Sequence, residues 1–88
     1  MSAGDIAIQI DLGVERRRLR PTFTWPPHIT RNQVTGPLEG LPGRIGAWQG
    51  RTLLGRSEVF VLVVFGRARP SDRQLARANA ELRRVRFG

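Results

Sequence analysis

Residues 59–65 read VFVLVVF, an uninterrupted run of seven apolar side chains. Seven residues are too few for a helix of ordinary length, and β-branched and aromatic side chains favour a strand. A strand that is apolar on every side chain is typical of the middle of a sheet, where both faces are covered. The sequence therefore predicts that Val59–Phe65 is the central strand of a sheet.

Further strands are predicted on both sides of this run. Ala47–Leu54 and Glu58–Arg67 are interpreted as a hairpin, because Gly55-Arg56-Ser57 between them has the residues of a tight turn. Asp5–Leu12 shows the period-two alternation of a strand with one buried face. The residues of that face are Ile6, Ile8, Ile10 and Leu12. The chain is therefore expected to begin with a strand that is polar on its other face.

A helix is predicted from Asp72 to about Arg84. Ser71 precedes it as the N-cap, and Gln74 stands three residues later, which is the spacing of a capping box. Apolar side chains then recur along a single stripe. They are Leu75, Ala78, Leu82 and Val85. Strands followed by one helix indicate an α+β fold, a mostly antiparallel sheet with a C-terminal helix packed on it.

The remaining segments have weaker patterns. Leu19–Trp25 is interpreted as an edge strand or an irregular arm, because Pro21 cannot donate a hydrogen bond to a ladder. Residues 26–46 are expected to be a long Pro/Gly-rich loop, with a short strand near Asn32–Val34. Val85–Phe87 are expected to leave the helix as a short terminal strand.

The basic side chains are Arg throughout. The sequence has 15 Arg and no Lys against 7 acidic residues, for a net charge of +8. The excess lies in residues 15–20 and 67–86, and guanidinium groups bind carboxylates and phosphates well. The candidate partner-binding residues in these segments are Arg16, Arg17, Arg18, Arg20, Arg73, Arg77 and Arg84. If the two segments share one face they form a basic surface, and on opposite sides they are ordinary solubilising charge.

No catalytic or metal site is predicted. The chain has no Cys, which excludes disulfides and thiolate zinc ligands, and His28, its only histidine, has no orienting partner nearby in the sequence. The carboxylates are scattered, although folding could bring Asp5 or Asp11 near Glu58. The Gly-rich stretches match no phosphate loop. We therefore predict a single, non-catalytic domain over residues 1–88 that uses no cofactor and no metal.

A binding or accessory module is the predicted function, with an acidic protein surface as the partner of the Arg-rich face. The alternative is sequence-nonspecific binding of nucleic acid through Arg–phosphate contacts. Trp25 and Trp48 would then stack on bases, unless the small core needs both rings. Membrane-surface binding is disfavoured, because the helix needs its apolar stripe to cover the sheet. An exposed edge strand would also allow a homo-oligomer.

The C-terminal half contains short motifs in a fixed order. They are Gly50-Arg51, the strand Phe60–Gly66, Pro70 and the run Ala78–Arg86. In this order they resemble the last strands and helix of uncharacterised actinobacterial domains, which often follow a single membrane anchor and whose ending is similar to PsbP-like α+β domains. The resemblance covers about residues 47–87 and implies a non-enzymatic module of this extracytoplasmic kind. Neither a signal peptide nor a transmembrane segment is visible in the sequence, so it indicates no compartment.

Overall fold

A computed structural model describes residues 2–14, 20–37 and 44–87. Within these residues the chain forms three strands and one α-helix. In chain order they are β1 (Ile6–Val14), β2 (Gly46–Leu54), β3 (Ser57–Phe65) and α1 (Asp72–Arg84). The strand order in the sheet is β1-β3-β2, and both neighbouring pairs are antiparallel. The predicted α+β fold, an antiparallel sheet with a C-terminal helix, is confirmed.

Strand β3 lies between its two neighbours, as its apolar sequence predicts. Phe65 faces Ile6 of β1 on one side and Gly46 of β2 on the other. Alternate side chains of β3 are buried under the helix: Val59, Val61, Val63 and Phe65. The expectation that both faces are covered is wrong, because the one helix covers one face and leaves Phe60 39% exposed on the other.

Helix α1 closes the core with its apolar stripe. Leu75, Ala78 and Leu82 are buried in one cluster with the inward side chains of β3. The capping box is formed: the Gln74 N–H donates to Ser71 Oγ at 3.1 Å, and the Ser71 N–H donates to Gln74 Oε1 at 2.9 Å. The predicted helix and its N-terminal signal are therefore both confirmed.

A two-residue turn joins β2 to β3. Gly55 has φ +62°, a conformation that glycine adopts without a steric penalty, and Arg56 completes the turn. Ser57, expected in the turn, is the first residue of β3 and pairs with Leu54. The tight turn holds the hairpin in register along its whole length.

Residues 20–37 run along the outer edge of β2 without forming a strand. The Thr22 N–H donates to Arg51 O at 2.8 Å near one end of β2. Near the other end Thr35 and Ala47 exchange two backbone hydrogen bonds of 2.8 Å. Leu19–Trp25 is interpreted from the sequence as an edge strand or an irregular arm, and residues 20–25 form the irregular arm. Leu19 lies outside the described residues.

The short strand expected near Asn32–Val34 is wrong. Arg31–Gln33 form a 3-10 turn instead, which begins after Thr30. The Thr30 N–H donates to Gln33 Oε1 at 3.1 Å, and this local bond favours the turn over an extended chain. Among the described residues of 26–46, the bridge between Thr35 and Ala47 is the isolated β-bridge that forms.

The terminal strand expected at Val85–Phe87 is also wrong. These residues are irregular, and the Val85 N–H donates to Leu82 O at 3.3 Å where the helix ends. Phe87 packs edge-on against Trp25 with ring centroids 4.8 Å apart. The aromatic contact holds the end of the chain against the arm and away from a sheet edge.

Candidate functional site

The outer face of α1 carries three exposed Arg side chains in one stripe. Arg73, Arg77 and Arg84 fall within an arc of about 40° at 3.6 residues per turn. Ala80 lies close to the same line, so a small side chain separates Arg77 from Arg84. Since the opposite face of α1 is buried in the core, the helix holds these guanidinium groups on a fixed scaffold.

One acidic side chain lies beside this stripe. Glu81 Oε1 is 3.6 Å from Arg84 Nη1, and both side chains are exposed. Within residues 2–14, 20–37 and 44–87, Arg73 and Arg77 form no ion pair. An exposed pair such as Glu81–Arg84 contributes little to stability. The stripe therefore presents two unpaired cations and one that is partly neutralised.

Arg31 is anchored beside the first turn of α1. Its Nε donates to Pro70 O at 3.0 Å, and its Nη2 pairs with the Asp72 carboxylate. These two interactions attach residues 20–37 to the start of α1. Because the Asp72 carboxylate is paired with Arg31, it is not a free negative charge beside the stripe.

The first Arg-rich segment is described only at its end. Arg20 is exposed, and its carbonyl accepts a hydrogen bond of 2.9 Å from Arg51 Nε. Arg16, Arg17 and Arg18 lie outside the described residues. The structure thus brings Arg73, Arg77 and Arg84 together, places Arg20 beside β2, and leaves the shared basic face a prediction.

The two candidate stacking residues belong to one aromatic cluster. Trp48 is 9% exposed, and its ring centroid is 5.4 Å from that of Phe23. Trp25 is half-buried, 6.0 Å from Phe23 and in edge contact with Phe87. The core uses the Trp48 ring, and Trp25 is the more accessible of the two.

A second group of Arg residues surrounds the open end of the β2–β3 hairpin. Arg44, Arg67 and Arg69 line a depression of about 760 Å³ together with small residues, and none of the lining residues within 2–14, 20–37 and 44–87 is acidic. The sequence reasoning did not single out these three residues. The hairpin itself contains the signal: because Gly46 pairs with Phe65, the flanking Arg44 and Arg67 leave the sheet side by side.

An apolar groove of about 720 Å³ runs between the end of α1 and the turn end of the sheet. Its apolar lining residues include Leu12, Trp25, Leu54 and Phe87, and Arg83 and Arg86 also line it. These two Arg residues lie in the basic C-terminal segment but away from the stripe. The groove therefore combines aromatic and cationic groups that the sequence reasoning did not connect.

The uncovered face of the sheet has a mixed character. Phe60 lies opposite Asp11 of β1 and Arg51 of β2, and Leu62 lies opposite Gln9 and Gln49. Polar groups on the two outer strands thus flank an apolar centre. The face forms a shallow depression of about 440 Å³.

The described residues contain no group of three or more His, Asp or Glu side chains placed to hold a metal ion. The sequence leaves open whether folding brings Asp5 or Asp11 near Glu58. The Asp5 carboxylate accepts a hydrogen bond of 2.7 Å from the Ser2 N–H. The register puts Asp11 and Glu58 at diagonal positions of the uncovered sheet face.

Helix α1 has 13 residues, and no helix in the described part of the chain meets the length and hydropathy of a membrane span.

Comparison of the chain with models of protein families, with curated proteins and with solved structures finds no match.

Proposed function

We propose that this protein is a non-catalytic binding module that docks an acidic protein surface through the Arg stripe of α1. The observation that supports it is the alignment of Arg73, Arg77 and Arg84 on the exposed face of a helix whose other face is fixed in the core. The fixed helix sets the spacing of these side chains, and the planar guanidinium fork loses less entropy per hydrogen bond than a Lys ammonium group. The basic segment at residues 15–20 adds to the attraction at long range.

The charge pattern of the stripe favours a protein over a polyphosphate. Glu81 pairs with Arg84 and lowers the positive charge of the stripe, which weakens its attraction most for the dense negative charge of a chain of phosphates. The buried ring of Trp48 also leaves one fewer aromatic side chain for stacking on bases. The resemblance of residues 47–87 to uncharacterised actinobacterial domains implies the same class of function, a non-enzymatic module.

Sequence-nonspecific binding of nucleic acid is the second candidate. The observation that favours it is the group of Arg44, Arg67 and Arg69, whose depression has no acidic residue among its described lining residues. Phosphates would meet three guanidinium groups there. The two candidate functions thus depend on different Arg residues.

A pair of triple variants separates these functions. One replaces Arg73, Arg77 and Arg84 by Gln, and the other replaces Arg44, Arg67 and Arg69 by Gln, so each removes three charges and controls for the other. Binding of fluorescent polyglutamate and of single- and double-stranded DNA and RNA is measured by anisotropy between about 50 and about 200 mM salt. Because the affected Arg residues are exposed, both variants are expected to fold.

We expect the helix variant to weaken polyglutamate binding at least about tenfold, a loss of about 1.4 kcal/mol, and the hairpin-end variant to change it little. Tighter binding of nucleic acid than of polyglutamate, lost mainly in the hairpin-end variant, would replace the proposal by the second candidate. Absence of binding to every probe at low salt would contradict both.

A further inference from the structure

The outer edge of β1 has unpaired backbone groups along its length. The Gly66 N–H donates to Asp5 O at 2.9 Å, so the carbonyl of Asp5 faces β3, and backbone groups alternate in direction along an antiparallel strand. The N–H and C=O groups of Ile6, Ile8, Ile10 and Leu12 therefore face outward. In the described part of the chain no hydrogen bond reaches these outward groups.

The features that usually protect an exposed edge are missing from β1. Natural edge strands are blunted by Pro, by basic side chains, by bulges or by short length. Between Ile6 and Val14 the strand has nine residues and contains no Pro, Lys or Arg, and its pairing with β3 is continuous. Leu12 is 63% exposed at its far end. The edge thus has both the backbone groups and the apolar side chain that a further strand would cover.

We propose that β1 pairs with β1 of a second copy of this chain, antiparallel and about a two-fold axis at Ile10. In this register Ile8 of each copy lies opposite Leu12 of the other, and the exposed Leu12 gains an apolar neighbour. Gln9 lies opposite Asp11 of the other copy at a non-hydrogen-bonded position, where side chains are closest. A two-fold interface requires such self-complementarity, and β1 has it on both faces.

Neighbouring registers are less favourable. An axis at Asp11 would put two carboxylates directly opposite each other, which is destabilising. An axis at Gln9 would place Asp11 opposite Ala7 and shorten the overlap of the two strands. Of these three registers, the axis at Ile10 pairs the whole of Ile6–Val14. Within one chain the Gln9 amide donates to the Asp11 carboxylate at 3.0 Å, and in this register it can also donate to Asp11 of the other copy.

Charge also favours this edge as the meeting point of two copies. The chain has a net charge of +8, which opposes self-association over most of its surface. Strand β1 contains one charged side chain, Asp11, and no cation. Pairing along Ile6–Val14 therefore places no cation of one strand opposite a cation of the other. The dimer leaves the Arg stripe of α1 outside the strand pairing, so this inference can fail without affecting the proposed function.

The first test is the mass of the full chain by analytical ultracentrifugation over a wide range of concentration. We expect a dimer whose dissociation constant rises at least about tenfold in Leu12→Lys, since a charge opposite an apolar residue of the other copy disfavours edge pairing. The matched control is Ala76→Lys, which adds the same charge at an exposed site of α1. Both side chains are exposed, so circular dichroism should show that both variants fold. A chain that stays monomeric at every concentration, or a dimer that Leu12→Lys leaves intact, would overturn the proposal.

The second test fixes the register. The chain has no Cys, so an equal mixture of Gln9→Cys and Asp11→Cys chains can cross-link only through the introduced thiols. At a non-hydrogen-bonded pair the Cα atoms are about 4.5 Å apart, within the range of a disulfide. We expect the mixed dimer to form several times faster than the dimer of either variant alone. Faster cross-linking of Gln9→Cys with itself would contradict an axis at Ile10.

Discussion

The two outer edges of the sheet differ in the hydrogen bonds that other parts of the chain make to them. At the β2 edge, Thr22 bonds to Arg51 and Thr35 bonds to Ala47, so two outward positions of the strand have backbone partners. The β1 edge has no such cover among the described residues. In the described part of the chain, one edge is thus partly covered and the other has unpaired backbone groups along its length.

The difference shows what the Pro-rich part of the chain does. Residues 20–37 lack the periodicity of a strand, yet they complete the core beside β2 with Ile29, which is almost fully buried. The Asn79 side chain holds this segment to α1: Ile29 N–H donates to its Oδ1 at 2.7 Å, and its Nδ2 donates to Ile29 O at 3.0 Å. The covered edge is therefore held by side-chain bonds to the helix, and these can be removed one at a time.

The largest effect is expected from Asn79→Leu. The substitution leaves the buried N–H and C=O of Ile29 without partners, which costs about 2 to 5 kcal/mol in the free energy of unfolding. Urea denaturation followed by Trp fluorescence measures the loss. Asn32→Leu is the matched control, because Asn32 is exposed and should lose less than about 1 kcal/mol. Equal losses in the two variants would show that Asn79 does not anchor the covering segment.

A smaller effect distinguishes a glycine on the core face of the sheet from a glycine on the uncovered face. A Cβ on Gly50 of β2 would lie 2.7 Å from ring atoms of Phe23 and Trp48, whereas a Cβ on Gly13 of β1 would have nothing within 4 Å. Gly50→Ala is therefore expected to cost about 1 to 3 kcal/mol, because the aromatic cluster must shift. Gly13→Ala should be neutral or stabilising by up to about 1 kcal/mol, since neither glycine has a positive φ.

Thermal unfolding of the two glycine variants provides the measurement. A lower Tm for Gly50→Ala together with an unchanged or higher Tm for Gly13→Ala would support the contrast between a packed face beside β2 and an open face beside β1. A Gly13→Ala variant as unstable as Gly50→Ala would show that the sheet face at Gly13 is covered.

Local sequence patterns correctly predicted the elements that depend on a few adjacent residues. The run at Val59–Phe65, the turn at Gly55 and the capping box at Ser71 each depend on a few adjacent residues, and all three are in the structure. The path of residues 20–37 depends on contacts with residues far along the chain, such as Ile29 with Asn79. No periodicity signals such contacts. The expected strand at Asn32–Val34 failed for a different reason, because the local bond from the Thr30 N–H to Gln33 Oε1 favours a turn.

The residues of the candidate site also fall into those that local spacing predicts and those that depend on long-range pairing. The stripe of Arg73, Arg77 and Arg84 could be predicted because helical spacing alone places them on one face. The group at Arg44, Arg67 and Arg69 results from pairing across the hairpin, and the sequence shows it only once the register is known. Burial of Trp48 depends on Phe23, which reaches it from the arm. Long-range packing decided which aromatic side chain stayed accessible.

The smallest effect is expected from Thr22→Val at the covered edge. The Thr22 hydroxyl accepts the Arg51 N–H at 2.9 Å, and the variant keeps the shape of the side chain while it removes this acceptor. Because Thr22 is exposed, water can replace the hydroxyl, and the cost in unfolding free energy should be only about 0.5 to 1.5 kcal/mol. Hydrogen exchange at the Arg51 amide should accelerate about tenfold, since the edge opens locally. Thr24→Val, at an exposed position of the same arm, should leave that amide unchanged. If Arg51 exchanges as fast in the unmodified chain as in Thr22→Val, the β2 edge opens in solution and the contrast between the two edges disappears.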